Sequence, residues 1–160
     1  IGIDPGLSGG IAILENNKVL NMFDMPVMSE GKKNKRQLNS AQLVSLIKEN
    51  ISSNDEIAVV VEQVNAMPGQ GVTSMFNFGQ TFGAIKGVCA ALELPIFFVR
   101  PSKWKKHFEL INSSKDSSRT KTIEMYPALS NQLAKKKDVN KSDAILIARF
   151  YSETRLIKNN

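Results

Sequence analysis

The sequence predicts a mixed α/β sandwich formed by a single domain, residues 1–160. The 160 residues are 42% hydrophobic, which is enough for one buried core. Apolar runs of strand length alternate with segments whose apolar residues recur at helical spacing. The order is three strands, a helix, a strand, a helix, a strand and further helices, which is typical of a sheet covered by helices.

The first three strands are predicted from turn residues. Residues 1–3 and 10–14 would form a hairpin around the segment DPGLSGG, whose glycines allow a tight turn. Asn16-Asn17 is a second turn signal, and residues 18–25 would form the third strand.

The middle of the chain is predicted to contain a loop, a helix and a buried strand. Residues 28–38, MSEGKKNKRQL, are polar and basic, which indicates an exposed loop. Asn39 or Ser40 can cap a helix that continues to residue 51 with apolar residues at helical spacing. The β-branched run at 57–61 ends at Glu62 and is typical of a strand buried on both faces.

The second half alternates helices with one further strand. A Gly/Pro loop precedes a long helix predicted over residues 73–94, and residues 95–99 would form another buried strand. Pro101 would begin a short basic helix, and further helices are predicted over residues 113–125 and 140–155.

The composition restricts the classes of function. Lys and Arg number 21 against 15 Asp and Glu, a formal net charge of +6, which favours an anionic partner such as nucleic acid. Cys89 is the only cysteine, so we expect it in the core and expect no disulfide framework or cysteine zinc cluster. The apolar runs are too short to span a bilayer, and no secretory signal is visible, so we expect no membrane partner and a cytoplasmic location.

Three carboxylates stand out by their positions. Asp4 ends the first strand, Glu62 ends the buried strand, and Asp143 lies in the first turn of the last helix. If these elements are neighbours, repulsion would raise the pKa of the three acids unless a cation lies between them. Hard cations such as Mg²⁺ or Mn²⁺ suit oxygen ligands, and two ions about 4 Å apart would form a clamp for in-line attack on a phosphodiester. Taken singly, Asp143 could instead compensate the helix dipole, and Asp4 could accept hydrogen bonds from turn amides.

The motifs IGIDPGLSGGIAI, VVVEQV and KSDAILIA, in this order, resemble the RuvC family of Holliday junction resolvases, most closely its bacteriophage-type branch. The segments MPGQGVTSMFNFGQTFGAIKG and RPSKWKK extend the resemblance over nearly the whole chain. The resemblance implies an RNase H-like fold, a five-stranded mixed sheet flanked by helices. It also implies a homodimer in a bacterial or phage-infected cell that cuts four-way DNA junctions by paired nicks. Two Mg²⁺ ions per site, with Mn²⁺ as a substitute, are the implied cofactors.

The resemblance assigns roles to particular residues. Asp4, Glu62 and Asp143 match the family's catalytic, metal-binding acids. The family's fourth position, an acid or a histidine in many members, is Asn140 here. Its amide oxygen could bind a metal but brings no charge and cannot act as a base. Asp138 is nearby, but its helical register does not suit it as a replacement.

A basic cluster between the last strand and the last helix is expected to contact DNA phosphates, and its members are Lys103, Lys105, Lys106, Lys115, Arg119 and Lys121. Lys105 and Lys115 best match the family's lysines near the scissile phosphate, and Lys115 is included among the catalytic residues. The alternative is a solvated helix face. The segment KKNKR at residues 32–36 could add contacts to the DNA backbone or have no role.

An apolar side chain after Glu62 is expected to wedge into the junction centre. Some RuvC proteins have Phe three residues after this glutamate, where this chain has Asn65. Met67, Phe76 or Phe78 could take its place, although at least one of the phenylalanines is expected to pack into the core.

Several other residues have two possible roles. Gly79, Gly83 and Gly87 form a stripe on one helix face, suited to close approach across a dimer interface or to packing on the sheet. Asp24 could support the site or be an ordinary turn acid. His107 has no partner at metal-ligand spacing and is expected to be exposed.

Other classes of function share parts of these motifs. Actin-like kinases and ATPases share the strand–turn opening but need a second lobe, for which this chain is too short. A non-catalytic junction-binding module would not need all three acids. A nuclease that acts on RNA, or more broadly on flaps and forks, stays an alternative. The sequence therefore predicts a Mg²⁺-dependent, structure-specific endonuclease.

Overall fold

Seven strands form two sheets in the computed structural model, which describes residues 1–31, 35–53, 55–65 and 69–158. The strands are β1 (Gly2–Asp4), β2 (Gly10–Glu15), β3 (Lys18–Asp24), β4 (Val27–Glu30), β5 (Lys35–Leu38), β6 (Val59–Glu62) and β7 (Ile96–Val99). The main sheet has the order β3-β2-β1-β6-β7. Its strands β1, β6 and β7 are parallel, and β2 and β3 are antiparallel to their neighbours. The predicted five-stranded mixed sheet is confirmed.

The stretch predicted as a loop at residues 28–38 is instead a two-stranded hairpin, so that prediction is wrong. β4 and β5 pair antiparallel from Val27 opposite Leu38 to Glu30 opposite Lys35. Among the hairpin side chains that the structure describes, Leu38 at the base is the one buried residue, and Lys35 and Arg36 are exposed. Because a hairpin that is exposed along most of its length needs few apolar residues, polarity alone did not distinguish it from a loop. Residues 32–34 of the KKNKR segment lie outside the described residues.

Five α-helices lie in the described ranges, close to where the spacing of apolar residues predicted them. They are α1 (Ser40–Glu49), α2 (Val72–Ala91), α3 (Pro101–His107), α4 (Ser117–Met125) and α5 (Val139–Lys158). The Asn39 side chain caps α1 by accepting a hydrogen bond from the Gln42 N–H at 3.0 Å. No helix in the described part of the chain has the length and apolar character needed to cross a membrane.

The two faces of the main sheet carry separate apolar cores. On one face, Ile3 and Val61 pack with residues of α1 and α2, including the predicted core residue Cys89, which is fully buried. On the other face, Val60 packs with Trp104 of α3 and with α5. Neighbouring positions such as Val60 and Val61 face opposite cores because side chains alternate along a strand.

Two glycines allow α5 to lie directly on β1 and β2. A Cβ atom on Gly2 would lie 2.1 Å from the Ala144 carbonyl oxygen, and one on Gly10 would lie 2.7 Å from the Asn140 carbonyl oxygen. These distances leave no room for a side chain at either position. The two glycines therefore fix the start of α5 against the ends of the first two strands.

The glycine stripe of α2 does not pack on the sheet. A Cβ atom added to Gly79, Gly83 or Gly87 would meet no heavy atom of the described structure within 4 Å. The packing alternative is therefore wrong for these glycines, and they lie on an open face of the helix. The dimer alternative stays a prediction.

Candidate active site

Asp4 and Glu62 lie side by side at the carboxyl ends of two parallel strands. β1 and β6 pair with Ile3 opposite Val61, so the next residue of each strand places Asp4 beside Glu62. Because side chains alternate along a strand, both carboxylates lie on the face away from Ile3 and Val61, which is the face that α5 covers.

The third acid comes from the start of α5. Asp143 directly precedes Ala144, the residue whose carbonyl lies against Gly2 of β1. Besides burial, which is the largest cause, the negative charge of Asp4 raises the pKa of both Asp143 and Glu62, and the charge of Glu62 also raises the pKa of Asp143. The fold therefore brings the three sequence-predicted acids together at one edge of the sheet.

Burial is the main electrostatic influence on this cluster, and it raises the pKa of all three carboxyl groups above their ordinary values. It raises the pKa of Asp143 to about 7, although a hydrogen bond from Ser118 opposes the change. The Gly6 N–H donates to Asp4 Oδ1 at 3.3 Å and lowers the pKa of Asp4, partly offsetting its burial. Asp4 thus accepts a hydrogen bond from a turn amide, as one alternative predicted, and it also belongs to the carboxylate cluster.

Trp104 donates a hydrogen bond to Glu62, a contact that the sequence did not predict. The indole is fully buried, and its Nε1–H donates to Glu62 Oε1 at 2.8 Å. This hydrogen bond favours the ionised carboxylate and opposes the effect of burial on the pKa of Glu62. The partner of Trp104 depends on how α3 packs beside β6, which the sequence does not reveal.

The chemistry of these donors fits a hard divalent cation. Asp143 Oδ1 is buried and accepts no hydrogen bond from the described residues, which is costly for a carboxylate oxygen. An oxygen-coordinated cation would satisfy it and favour the ionised form of all three acids. The acids do not stand as a preformed cage, because no three His, Cys, Asp or Glu side chains in the described ranges are arranged to hold a metal ion.

Two of the predicted lysines lie near the carboxylates. The positive charge of Lys105 lowers the pKa of all three acids, and the charge of Lys115 lowers the pKa of Asp4. Lys105 Nζ also lies 5.3 Å from the centroid of the Trp104 ring, within the range of a cation–π contact. These two cations can meet an anionic group bound beside the carboxylates.

Arg119, predicted to contact DNA, is engaged within the protein. Its Nε and Nη2 donate to the two carboxylate oxygens of Asp116 at 2.7 and 2.6 Å. Its Nη1 donates to the Leu133 carbonyl at 3.0 Å. This guanidinium therefore ties α4 to the segment before α5, and its contact with DNA stays a prediction.

The other members of the basic cluster lie on the surfaces of α3 and α4. Lys121 Nζ is 4.0 Å from Glu124 Oε2 on the same helix, at the limit of an ion pair. Lys103 and Lys106 are exposed on α3, and their charges are not among those that shift the pKa of the three carboxylates. Their position is compatible with either DNA contact or a solvated helix face.

The residues around the proposed fourth ligand have clear partners. The Asn140 Nδ2 donates to the Lys137 carbonyl at 3.5 Å, and its own role as a ligand stays a prediction. The buried Asp138 forms an ion pair with Lys141 Nζ at 2.9 Å, so its charge is already paired at the start of α5. Lys141 Nζ is also 3.9 Å from Asp24 Oδ1, which ties the exposed end of β3 to α5.

The candidate wedge residues differ in exposure. Phe76, near the start of α2, has 65% of its surface exposed, whereas Phe78 is half-buried. Neither belongs to the buried core or packs against it, so the expectation that at least one of them packs there is wrong. Met67 lies outside the described residues.

His107 has a partner that the sequence did not suggest. Its Nε2 lies 2.6 Å from Glu153 Oε2, and its ring contacts Phe108 and Phe150 edge-on. The histidine is exposed as predicted, but it joins α3 to α5 and takes no part in the carboxylate cluster.

The fold is that of RuvC, an RNase H-like fold. RuvC of Thermus thermophilus in complex with a Holliday junction substrate superposes with a TM-score of 0.57 at 16% sequence identity, over 96% of this chain and 94% of that one. A second structure of Thermus thermophilus RuvC gives a TM-score of 0.53 at 17% identity, over 96% and 95% of the two chains. No protein-family model and no curated protein sequence matches the chain. The predicted fold is confirmed, and the bacteriophage-type branch stays a prediction.

Proposed function

We propose that this chain is a metal-dependent, structure-specific endonuclease that resolves four-way DNA junctions. The convergence of Asp4, Glu62 and Asp143 at one edge of a RuvC-like sheet carries the proposal. The formal net charge of +6 supports a nucleic-acid substrate, and a structural neighbour that was solved with a Holliday junction supports branched DNA in particular.

The three carboxylates would hold Mg²⁺, for which Mn²⁺ would substitute, with Asn140 as a neutral further ligand. When bound, two such ions supply an activated water and stabilise charge on the attacking and leaving oxygens, so that hydrolysis leaves 5′-phosphate ends. Trp104 keeps one Glu62 oxygen occupied and so limits how that carboxylate can turn. Lys105 and Lys115 would bind the scissile phosphate and offset the charge that develops on it.

Paired nicks in two strands require two active sites, so we place the activity in a homodimer. The open face of α2 that carries Gly79, Gly83 and Gly87 supports this assignment, because bare backbone allows a second helix to approach closely. A cytoplasmic location in a bacterial or phage-infected cell belongs to the same proposal.

A panel of labelled substrates tests the substrate class. We expect Mg²⁺-dependent, symmetric nicks in a mobile four-way junction, with much slower cleavage of linear duplex, flap and RNA–DNA hybrid, and no cleavage in EDTA. Equal cutting of linear duplex and junction would contradict the proposal. Faster cleavage of the flap or hybrid would favour the broader nuclease instead. In the same assay, an unchanged Mg²⁺ dependence of Asn140→Ala would remove Asn140 from the ligand set.

A further inference from the structure

A groove lies between the β4–β5 hairpin and α2, on the face of the sheet opposite the carboxylates. We call it the hairpin groove, and its polar lining includes Lys35, Arg36, Gln37, Asn77 and Gln80. Its volume is about 350 Å³. The lining residues that the structure describes include two cations and no carboxylate, so their side chains suit an anion or a polar backbone.

The hairpin groove begins at the turn that follows the first catalytic acid. Arg36 Nη2 donates to Ser8 Oγ in this turn at 3.4 Å, and Leu7 of the same turn borders the groove. In the same turn, two residues before Ser8, the Gly6 N–H donates a hydrogen bond to Asp4 Oδ1. A single short turn thus has the carboxylate cluster on one side and the groove on the other.

The groove continues along α2 in a second stretch of about 320 Å³. The two stretches share Leu7, Asn77 and Thr81, and the second adds Ser74. From Ser74 to Ala84, α2 advances about 15 Å at 1.5 Å per residue. This length is sufficient to follow a few nucleotides of one DNA strand.

Arg36 is the residue best placed to bind a phosphate there. It is exposed, and its hydrogen bond to Ser8 uses one of the five donors of the guanidinium. The remaining donors have no hydrogen-bond acceptor among the described residues.

We propose that the hairpin groove binds the sugar–phosphate backbone of the DNA arm that leads away from the scissile phosphate. This inference rests on the proposed function, because the carboxylate cluster defines where the cut lies. The strand crosses the turn at residues 5–9, and Arg36 contacts the first phosphate beyond it. Asn77 and Gln80 then donate hydrogen bonds to the following backbone oxygens.

Binding of a labelled four-way junction, measured without added metal so that no cleavage interferes, tests the groove. We expect Arg36→Glu to weaken binding about tenfold or more at moderate salt. Arg36→Ala should reduce the slope of log K against log salt by about one, the loss of one phosphate contact. Lys48→Glu, an equal charge change on the exposed end of α1, is the matched control and should alter the Kd less than twofold.

The possible results distinguish a failure of the groove proposal from a failure of the proposed nuclease function. Suppose the wild type cuts junctions and Arg36→Glu binds them as tightly as the wild type does. The proposal that the hairpin groove binds DNA is then wrong, and the proposed function stands. Equal weakening by Arg36→Glu and Lys48→Glu also overturns the groove, because it shows only a general charge effect. Selective weakening by Arg36→Glu supports the groove even if the wild type cuts no junction, a result that would contradict the proposed function alone.

Discussion

Asp143 combines three properties that rarely occur together in a carboxylate without a ligand. It is half-buried, burial is the main cause that raises its pKa to about 7, and its buried Oδ1 accepts no hydrogen bond from the described residues. The neighbouring charges of Asp4 and Glu62 contribute to this rise in pKa. Such groups are typical of functional sites, because a stable fold gains nothing from leaving them unpaired.

The pKa of Asp143 predicts how the stability of the metal-free protein depends on pH. Between the ordinary value of 3.8 and about 7, the folded protein keeps a proton that the unfolded chain has released. This contribution to stability is therefore full below 3.8 and is lost as the pH rises to about 7. We expect the Tm in EDTA to fall from about pH 5 to about pH 7, and Asp143→Asn to remove much of that fall.

Added Mg²⁺ should counteract this fall in Tm with rising pH. It should raise the Tm more at about pH 7.5 than at about pH 5, because it binds the ionised carboxylates. Glu49→Gln, which removes an exposed carboxylate at the end of α1, is the control and should leave the profile unchanged. A wild-type profile that Asp143→Asn does not alter, or a Mg²⁺ effect that is the same at both pH values, would contradict this account.

Trp104→Phe tests whether the indole positions Glu62. The substitution keeps an aromatic ring in the core but removes the Nε1–H that donates to Glu62 Oε1. We expect cleavage to fall about 10- to 100-fold, with a higher Mg²⁺ concentration needed for half-maximal activity. The free energy of unfolding should fall by only about 1–3 kcal/mol, from the unpaired carboxylate and the smaller ring.

Phe108→Leu is the matched control for Trp104→Phe. It shortens another buried aromatic side chain of the same core that has no hydrogen bond to Glu62. Its stability should fall by a similar amount while the Mg²⁺ dependence stays that of the wild type. If both variants shift the Mg²⁺ dependence equally, Trp104 acts through core packing alone.

At the residue scale, the sequence predicted the acids but not their partners. Asp4 and Glu62 were visible because a carboxylate interrupts an apolar strand pattern, and Asp143 because it begins an apolar helix. The hydrogen bond from Trp104 and the unpaired Asp143 Oδ1 depend on contacts between elements distant in sequence. No local pattern encodes such contacts.

At the element scale, α5 controls the site because of how closely it lies on the sheet. Gly2 and Gly10 have its backbone against them, so the helix start cannot move away without losing packing on β1 and β2. The ion pair of Lys141 with Asp138 holds the same segment. These contacts set the position of Asp143 relative to Asp4.

Gly10→Ala tests this dependence. The added methyl group would lie 2.7 Å from the Asn140 carbonyl oxygen and would have to displace α5. We expect a loss of about 2–4 kcal/mol in the free energy of unfolding, together with a smaller stabilisation by Mg²⁺. Chemical denaturation with and without Mg²⁺ measures both.

Gly6→Ala, in the neighbouring turn, is the control for Gly10→Ala. A Cβ atom there would lie 3.6 Å from the Gly9 nitrogen, an ordinary contact, so the stability should change by about 1 kcal/mol or less. If Gly10→Ala is as stable as Gly6→Ala and binds Mg²⁺ equally well, close packing of α5 does not position the site.

The elements themselves were predictable to different degrees. The helices and the buried strand β6 follow from apolar spacing, and Asn39 was recognised as a cap from its residue type. The prediction of a second buried strand is wrong, because β7 lies at the edge of the sheet and leaves Phe97 and Phe98 exposed. The β4–β5 hairpin was missed because residues 28–38 are mostly polar and lack a periodic apolar face. Exposed two-stranded ribbons depend on backbone pairing, which leaves little trace in composition.

At the scale of the whole molecule, the order of elements predicted a mixed α/β sandwich, and the resemblance to the RuvC family predicted the five-stranded mixed sheet. The strand order β3-β2-β1-β6-β7 was not predicted, because it depends on which strands pair in space, and the chain superposes on RuvC at only 16% identity. At this scale the molecule has the carboxylate cluster on one face and the hairpin groove on the other, with one turn between them. A DNA strand that crosses that turn would contact both.

Cleavage of a mobile four-way junction by the wild type and by Asp4→Asn tests the central claim most directly. Asp4→Asn keeps the size of the side chain but removes its charge, so the metal-binding carboxylates would be reduced from three to two. We predict paired, symmetric nicks by the wild type in Mg²⁺, and a loss of at least about 100-fold in Asp4→Asn with junction binding retained. Cleavage by Asp4→Asn at the wild-type rate, or wild-type cleavage that persists in EDTA, would contradict the account.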